Sequence, residues 1–239
     1  KQIKSAYKSN YGDNYKDSLN QALTSAGYKN LSEYRQRMIK QIQYANFLLD
    51  YIDDHFDDVF NDYYQQCAPK YVSLIKISVS DTSSPTDDET SKLNEVKELI
   101  SNTDKSFGDI AQDYSDDSTS SKKGSLGIVD SKDTSGIANS YGEDVFNAIE
   151  ALSEGQVSDV ITGNDGYYFV KVTSTDKKTL KKELKKTDID SPLLAYDDYL
   201  QYVVYNSYKI NYKDKDIKKM NEEVVNKALE ERKTERGEA

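Results

Sequence analysis

The sequence of 239 residues contains few of the side chains from which metal sites and nucleophilic triads are built: one cysteine, Cys67, and one histidine, His55. A single cysteine excludes a disulfide within the chain and a metal site made of several cysteines. A single histidine nearly excludes a histidine-rich metal site or a Ser-His-Asp triad unless His55 takes part. His55 lies in the acidic stretch DDHFDD on a predicted helix, which indicates a solvated helix face. We therefore expect neither a metal nor a cofactor.

Long apolar runs and an excess of basic residues are also missing. Hydrophobic residues make up 36% of the chain and charged residues 31%, and no run approaches the ~18 apolar residues that a membrane span needs. The net charge is −10, and phosphate binding requires clustered lysine and arginine, so we expect no nucleic-acid partner. The simplest explanation of the acidity is solubility. The length suffices for one large or two modest domains with a real core.

The first 69 residues are predicted to be helical. Leu19, Ala22 and Leu23 share one helix face, and Gly27 is typical of a helix end. Asn30-x-x-Glu33 resembles a capping box that begins the next helix. Apolar residues then recur at helical spacing to about residue 51, and a further short helix is predicted over 56–65.

The central region, 70–174, is predicted to form a small α+β domain. Pro69 interrupts the helical pattern, and residues 71–79 have the β-branched composition of a strand. Thr86-x-x-Glu89 resembles a second capping box, and short helices are predicted over 107–114 and 145–152. Residues 115–140 are rich in serine, glycine and aspartate and are expected to be mostly loop. Alternating apolar residues predict a strand over 166–173.

Residues 175–239 return to helical patterns. Ser191-Pro192 is typical of a helix start, and an apolar face follows it. A strongly charged segment over 216–233 carries a thin apolar stripe. We expect 1–69 and 175–239 to pack together as a second, all-α module, with the domain 70–174 inserted between them. Apolar and tyrosine stripes on these segments further suggest a homodimer.

Two blocks of sequence within the central region carry a family resemblance. FGDIAQDYSDD at 107–117 is followed by GSLG at 124–127, and LSEGQVS at 152–158 leads into GYYFV at 166–170. The pattern F-x-x-[IL]-A-x-x-[YF]-S-x-D, G-x-L-G, L-x-x-G-x-[VM]-S, G-[YF]-x-x-[IV] resembles the parvulin family of peptidyl-prolyl isomerases. With its helical flanks and the YGDNYKDSL stretch at 11–19, the chain is similar to the PrsA-type foldases of Gram-positive bacteria.

The resemblance implies a partner class and a location. PrsA-type proteins are exported lipoproteins at the outer face of the cell membrane that assist the folding of exported polypeptides. It therefore implies unfolded or partly folded exported polypeptides as partners. The chain begins at Lys1 rather than Met, so we expect a trimmed chain whose lipid-bearing cysteine would lie upstream; Cys67 is internal.

The same resemblance implies a catalytic site at four positions: Lys76, Asp117, Asp165 and Tyr168. Lys76 stands where active parvulins begin their first strand with a histidine, and Tyr168 stands at the second histidine position. Asp117 falls on the cysteine or aspartate position, and Asp165 falls on a small polar residue. Both histidines of the family pattern are therefore replaced.

Isomerisation explains why these replacements matter. An Xaa-Pro bond needs its amide resonance weakened over a barrier of ~18–20 kcal/mol, and an isomerase binds the twisted amide better than the planar one. Neutral imidazoles both donate and accept, which lets a buried cluster hold together. Lys76 is a donor-only cation that needs an anion when buried, with Asp117 as the expected partner and Asp165 beside it.

The pattern leaves the proline pocket loosely assigned. Leu126 lies in the GSLG turn, where a core role competes with a substrate-binding one. The candidate pocket walls are Ile128, Val129, Ile137 and Val145. We predict that Leu126, Ile128 and Val145 contact the substrate.

Three functions remain open from the sequence. The first is an extracytoplasmic foldase that holds unfolded clients and has weak or no isomerase activity, because Lys76 and Asp117 form only a structural ion pair. The second is an active isomerase that uses an atypical Lys/Asp/Tyr site. The third is a surface interaction protein that reuses the scaffold, since a fold does not fix a function.

Overall fold

The computed structural model describes residues 2–102, 104–163, 165–185, 190–197 and 199–238. The chain divides into two compact units, Lys1–Tyr51 and Ile52–Ala239. Among the described residues, no helix combines the length and the apolar character that a membrane crossing requires.

The first unit is helical. Its helices are α1 (Gln2–Tyr11), α2 (Tyr15–Ser25) and α3 (Leu31–Asp54), and α3 continues past the end of the unit. Leu19 and Leu23 are buried, as their spacing predicts. The chain turns at Gly27, whose φ of 78° is a left-handed value that glycine adopts without steric cost. The predicted helices of this region are confirmed.

The capping box before α3 is confirmed. The backbone N–H of Glu33 donates to Asn30 Oδ1 at 3.0 Å, and Glu33 Oε2 accepts from the backbone N–H of Lys29 at 2.8 Å. Two N–H groups that lack partners within the helix are thereby satisfied. The hydrogen bond from the Lys29 N–H, followed by the one from the Arg37 side chain, lowers the pKa of Glu33.

The second unit contains the four strands found among the described residues. Its elements are α4 (Phe56–Cys67), β1 (Lys70–Ser78), α5 (Asp87–Asn102), α6 (Phe107–Tyr114), β2 (Ser125–Val129), α7 (Ile137–Tyr141), α8 (Glu143–Ala151), β3 (Ile161–Thr162), β4 (Gly166–Ser174), α9 (Lys177–Leu184), α10 (Tyr199–Ser207) and α11 (Lys215–Glu235). Short 3₁₀ helices cover Ser118–Lys122 and Pro192–Leu194.

The sheet is antiparallel, with strand order β2-β1-β4-β3. Alternate residues of β1 and β4 point to opposite faces, so the sheet buries two separate apolar layers. One layer packs against α7 and α8 and comprises Val72, Leu74, Val129, Ile137, Val145, Ile149, Tyr168 and Val170. The other packs against α5 and α6 and comprises Ile75, Ile77, Leu93, Val96, Phe107, Ile110, Ala111 and Phe169. The predicted α+β class is therefore confirmed.

The expectation that residues 115–140 are mostly loop was wrong in part. This region contains the 3₁₀ helix Ser118–Lys122, the strand β2 and the start of α7. β2 is short, Gly127 within it has a φ of 81°, and its register with β1 is irregular at Val72 and Ser73. Pairing with β1, rather than a local pattern, makes this segment a strand.

The first glycine of the GSLG turn, Gly124, is required by close packing. A Cβ at this position would lie 2.4 Å from the Leu74 carbonyl oxygen and 2.8 Å from the Ala111 Cβ. The close approach lets the backbone N–H of Leu74 donate to the Gly124 carbonyl at 2.8 Å. The φ of Gly124 is 74°, which adds a second reason for glycine.

Within the second unit, residues after the domain pack on α4. The Tyr196 hydroxyl donates to Asp62 Oδ2 at 2.6 Å, and the Tyr196 ring meets the Tyr63 ring edge to face at 5.3 Å. Arg236 donates to Asp197 at 2.8 Å and also pairs with Asp62. The all-α module expected from segments 1–69 and 175–239 stays a prediction.

Candidate functional site

Lys76 of β1 and Tyr168 of β4 lie directly opposite each other across the antiparallel pair. Directly paired residues of neighbouring strands place their side chains on the same face of a sheet. Tyr168 belongs to the apolar layer beneath α7 and α8 and is 2% exposed. The Lys76 ammonium lies 5.7 Å from the centre of the Tyr168 ring. The sheet register therefore brings together Lys76 and Tyr168, two of the four predicted site residues.

Asp165, just before β4, binds both side chains. Lys76 Nζ lies 2.5 Å from Asp165 Oδ2, and the Tyr168 hydroxyl donates to Asp165 Oδ1. The Lys76 side chain is 17% exposed and that of Asp165 is 63% exposed. We call Lys76, Asp165 and Tyr168 the Lys-Asp-Tyr cluster. Its carboxylate uses both of its oxygens on groups of the protein itself.

The protonation states of the cluster follow from these contacts. The hydrogen bonds from Lys76 and then Tyr168 lower the pKa of Asp165. Burial, followed by the bond to Asp165, raises the pKa of Tyr168 above its ordinary value. Near neutral pH the cluster therefore holds a carboxylate and a protonated phenol. Hydrogen bonds that favour the charged form of an acid lower its pKa.

Asp117 is linked to the cluster through Tyr141, whose ring packs on Tyr168, rather than through an ion pair with Lys76. Asp117 Oδ1 accepts from the backbone N–H and the hydroxyl of Thr119 at 2.8 and 2.7 Å, which caps the 3₁₀ helix. The Tyr141 ring lies 6.2 Å from the Tyr168 ring at 79°. Burial, with the Asp117 charge second, raises the pKa of Tyr141 to about 12.

The expected partner of Lys76 requires a correction. The sequence argument put Asp117 first and Asp165 second, whereas among the described residues the carboxylate that Lys76 pairs with is Asp165. The reason is that the Asp117 carboxylate is directed to Thr119, within its own turn. Asp165 lies one residue before Gly166, which is the register partner of Ser78 at the end of β1.

The two residues before Asp117 complete the edge of β1. β2 pairs with β1 only as far as Ser73, which leaves the polar groups of the backbone beyond it without a strand partner on that side. Ser115 Oγ accepts from the Lys76 N–H at 3.0 Å, and the Lys76 carbonyl accepts from the Asp116 N–H at 2.8 Å. Asp116 Oδ2 accepts from the Ser78 N–H at 2.9 Å. The SDD segment therefore satisfies backbone groups of β1.

The candidate pocket residues divide between cavity walls and the core. Leu126 lines a cavity of about 380 Å³ together with Ile137 and Tyr141. It also lines a larger cavity of about 600 Å³ together with Ile128. Val145 is 1% exposed and packs in the same apolar layer as Tyr168.

Two of the candidate walls therefore need a correction. Val145 and Val129 lie in the core, 1% and 0% exposed, and not on a cavity surface. Val145 occupies the inner face of the amphipathic helix α8, and Val129 is the β2 residue paired with Lys70. Both side chains are directed into the apolar layer under the sheet.

Two residues of the site were missed from the sequence. Tyr141 packs on Tyr168, and Gly163 leaves space for the Tyr168 ring, since a Cβ there would lie 2.6 Å from Tyr168 Cε2. Tyr141 follows a segment expected to be loop, and a lone glycine before a strand has many uses. Neither contact has a local sequence signal, because both arise from tertiary packing.

The part of the chain that the structure describes holds no group of three or more His, Cys, Asp or Glu side chains arranged to bind a metal ion. His55 lies between α3 and α4, is exposed, and is not part of the cluster. The chemistry that the cluster can offer is therefore a paired cation, a carboxylate and a phenol.

The chain is similar to known proteins in its central region and beyond it. Residues 74–174 match the family model of the rotamase, PPIC-type PPIase domain. The foldase protein PrsA of Staphylococcus epidermidis strain RP62A is 31% identical over 141 residues, which cover 56% of this chain and 41% of that protein. PrsA of Staphylococcus aureus strain MRSA252 matches with the same identity and coverage. The chain thus spans less than half the length of these curated relatives.

Among solved structures, the crystal structure of PrsA from Bacillus subtilis superposes with a TM-score of 0.42 at 23% identity, over 89% of this chain and 75% of that one. The family model and the curated relatives confirm the resemblance drawn from the sequence. Residues 74–174 thus match the PPIC-type PPIase domain, within a chain similar to the PrsA foldases.

Proposed function

We propose that this chain is a foldase that holds unfolded exported polypeptides and that its parvulin domain has weak or no prolyl isomerase activity. The observation that carries the proposal is the closed Lys-Asp-Tyr cluster at the two histidine positions. Lys76 and Tyr168 both donate to Asp165, so each polar group of the cluster already has a protein partner.

The chemistry of the cluster supports this proposal. Lys76 only donates hydrogen bonds, and its charge is balanced by the adjacent carboxylate. A twisting amide would have to compete with Asp165 for the Tyr168 hydroxyl, or bind another N–H of Lys76, whose charge Asp165 already balances. Catalysis requires groups that stabilise the transition state more than the ground state, and groups held in a stable mutual arrangement are poorly placed to do so.

The first test measures isomerisation of Xaa-Pro tetrapeptides by the wild type and by a Lys76→His/Tyr168→His double variant. Uncatalysed exchange takes tens to hundreds of seconds, so a weak activity is detectable against it. We expect the wild-type rate to equal the uncatalysed rate, and the double variant to accelerate the reaction. A clear wild-type rate would contradict the proposal.

The chain offers a matched control for this test. Lys105 also lies over a tyrosine ring, 5.9 Å from the centre of Tyr114, but Tyr114 packs on the opposite face of the sheet. A Lys105→His/Tyr114→His variant introduces the same two side chains away from the cluster. It should leave the rate at the uncatalysed level, so that any gain in the first variant is assigned to its position.

The second test measures whether the protein holds an unfolded client. The wild type should suppress aggregation of a chemically unfolded client protein at near-stoichiometric ratio, and the double variant should do so equally well. If the wild type does not suppress aggregation, a surface interaction protein that recognises one folded partner is favoured.

An active isomerase with an atypical site is the alternative. Its supporting observation is that Tyr168 and Tyr141 meet beside a cavity of about 380 Å³, which puts a phenol close to bound peptide. In this alternative Asp165→Ala abolishes the wild-type rate, because Lys76 and Tyr168 lose the acceptor that orients them.

We propose a location and an assembly by similarity to the PrsA foldases. The chain would act outside the cytoplasm, at the outer face of the cell membrane, through a lipid anchor upstream of residue 1. A homodimer through the helical segments is part of the same proposal, and light scattering at high protein concentration tests it, since a monomeric mass would contradict it.

A further inference from the structure

Two cavities of the second unit adjoin at Leu126 and Ser135, which line both of them. The smaller, of about 380 Å³, reaches Tyr141, whose ring packs on Tyr168 of the Lys-Asp-Tyr cluster. The larger, of about 600 Å³, extends past Ile128 to the segment around Pro192. We call the two together the β2 groove. It leads from the candidate site along β2 toward the residues that follow the parvulin domain.

The two ends of the groove differ in chemistry. The smaller cavity is lined mainly by hydroxyl groups, and the lining residues that carry them are Ser118, Thr119, Ser125, Ser135, Ser140 and Tyr141. The larger cavity has aliphatic walls, formed by Leu126, Ile128, Leu184, Pro192, Leu194 and Ala195. Hydroxyl groups also line the larger cavity, at Tyr71, Thr134 and Ser191, so the feature that distinguishes it is the larger number of aliphatic side chains in its wall.

Among the described residues that line the larger cavity, the charged ones are Glu183 and Asp190, and both are acidic. An aliphatic wall with an acidic rim suits an apolar side chain that has a lysine or arginine beside it. A polypeptide without a positive charge would gain only the apolar contact.

The strand beside the groove sets the shape of its occupant. β2 is the edge strand of the sheet, and Leu126 and Ile128, two residues apart, both line the larger cavity. An extended chain rises ~3.3 Å per residue and directs alternate side chains to one side. A peptide that leaves the smaller cavity would therefore present alternate side chains to the larger one.

We infer that the larger cavity is a second binding subsite for the same unfolded polypeptide whose Xaa-Pro segment lies at the Lys-Asp-Tyr cluster. It takes an apolar side chain that is followed or preceded by a basic residue. This inference rests on the proposed function and adds to it a sequence preference: clients are recognised by an apolar-basic segment a few residues from a proline.

The test uses fluorescein-labelled synthetic peptides and fluorescence anisotropy. The reference peptide contains Ala-Pro, a Gly-Ser spacer of about four residues, roughly 13 Å when extended, and then Leu-Lys. Two others replace the leucine by serine or the lysine by glutamate. We expect the serine peptide to bind roughly tenfold more weakly, as the loss of one buried aliphatic side chain predicts. The glutamate peptide should also bind more weakly, and this difference should shrink at high salt.

Variants of the protein assign these preferences to the cavity. Glu183→Lys should reverse the preference between the lysine and glutamate peptides, and Glu98→Lys on α5 is the matched control because that exposed acid lies on another element. Leu194→Gln should remove the preference for leucine. Because Leu194→Gln could unfold the segment, Ala195→Trp at an exposed position of the rim provides a second way to fill the cavity.

The outcomes separate this inference from the proposed function. If the wild type suppresses client aggregation but binds all three peptides equally, the subsite is wrong and the foldase proposal stands. If the preferences exist but survive both Leu194→Gln and Ala195→Trp, the subsite lies elsewhere and the inference is also overturned. If the wild type neither suppresses aggregation nor binds the peptides, both fail.

Discussion

Lys76 Nζ lies 2.5 Å from Asp165 Oδ2, and the second oxygen of the same carboxylate accepts from the Tyr168 hydroxyl. One carboxylate thus connects β1 with β4 near the end of one strand and the start of the other. The register of the sheet places Lys76 opposite Tyr168, and Asp165 balances the charge of Lys76.

The Asp165→Asn variant should lower the free energy of unfolding at neutral pH by about 1 kcal/mol. The magnitude is small because most of the Asp165 side chain is exposed to solvent, which screens the pair. Because the contacts lower the pKa of Asp165 in the folded state, its contribution is present above the unfolded pKa of ~3.9 and is lost as the pH falls through the folded value.

Urea unfolding of the wild type and of Asp165→Asn at pH 7 and near pH 2 checks this prediction. The difference between the two proteins should be largest at pH 7 and should shrink in acid. Asp113→Asn is a suitable control, since Asp113 pairs with Lys105 at 3.1 Å and both of those side chains are about half exposed. An equal difference at both pH values would show that Asp165 does not act through its charge.

Glu89 provides a second prediction about acid pH. Its carboxylate accepts from the N–H of Thr86 at 2.7 Å and from the N–H and hydroxyl of Ser80 at 2.8 Å each. These bonds, the Thr86 one first, lower the pKa of Glu89 to about 2. The contribution to stability is therefore complete above the ordinary glutamate pKa of ~4.3 and is lost as the pH falls toward about 2.

The Glu89→Gln variant tests the charge while keeping the size of the side chain. We expect its free energy of unfolding to fall below that of the wild type at pH 7 and to approach it near pH 2. NMR titration of the Glu89 carboxyl carbon measures the pKa directly. A value near 4 would mean that the capping box before α5 is not formed in solution.

The sequence predicted those features that depend on neighbouring residues. Both capping boxes, the strands β1 and β4, and the α+β class follow from short-range patterns, and each is confirmed. The predicted site also included both Lys76 and Tyr168, and the register of β1 with β4 pairs these two residues.

Most of the features that were missed depend on tertiary contacts. β2 is a strand because it pairs with β1, more than 50 residues earlier, within a region rich in serine, glycine and aspartate. Tyr141 and Gly163 matter because the Tyr168 ring packs on both of them, whereas the contact of Asp117 with Thr119 is local and could have been read from the sequence. Tertiary contacts leave no periodic trace in a single sequence.

Replacing Gly163 by a larger residue should lower the free energy of unfolding, which tests the packing under the Lys-Asp-Tyr cluster. A Cβ at Gly163 would lie 2.6 Å from Tyr168 Cε2, so Gly163→Ala must displace the ring. We expect a loss of ~1–3 kcal/mol in the free energy of unfolding, the usual cost of overpacking. Gly108→Ala in α6 is the control, because its added methyl group would lie 3.1 Å from Lys123 Cβ, a milder contact than the 2.6 Å at Gly163.

Thermal and urea unfolding of the two alanine variants measures the effect, and the near-ultraviolet spectrum reports the tyrosine environment. Gly163→Ala should change both, whereas Gly108→Ala should change neither or raise the stability slightly, since alanine favours a helix. Equal stability of Gly163→Ala and the wild type would show that the Tyr168 ring lies elsewhere in solution.

The last prediction concerns the contact of α4 with the turn after β2. The Tyr63 hydroxyl donates to Asp130 Oδ2 at 2.9 Å, and both residues are 0% exposed. Burial, with the Asp130 charge second, raises the pKa of Tyr63, so the phenol keeps its proton throughout the accessible pH range. Tyr63→Phe removes one donor from a buried carboxylate and should cost ~1–3 kcal/mol, because the desolvated acceptor is left with fewer partners. Tyr11→Phe is the control: this tyrosine is 53% exposed, so its free energy of unfolding should stay within ~0.5 kcal/mol of the wild type. A cost for Tyr63→Phe no larger than this would mean that the hydrogen bond from Tyr63 of α4 to Asp130 does not stabilise the fold.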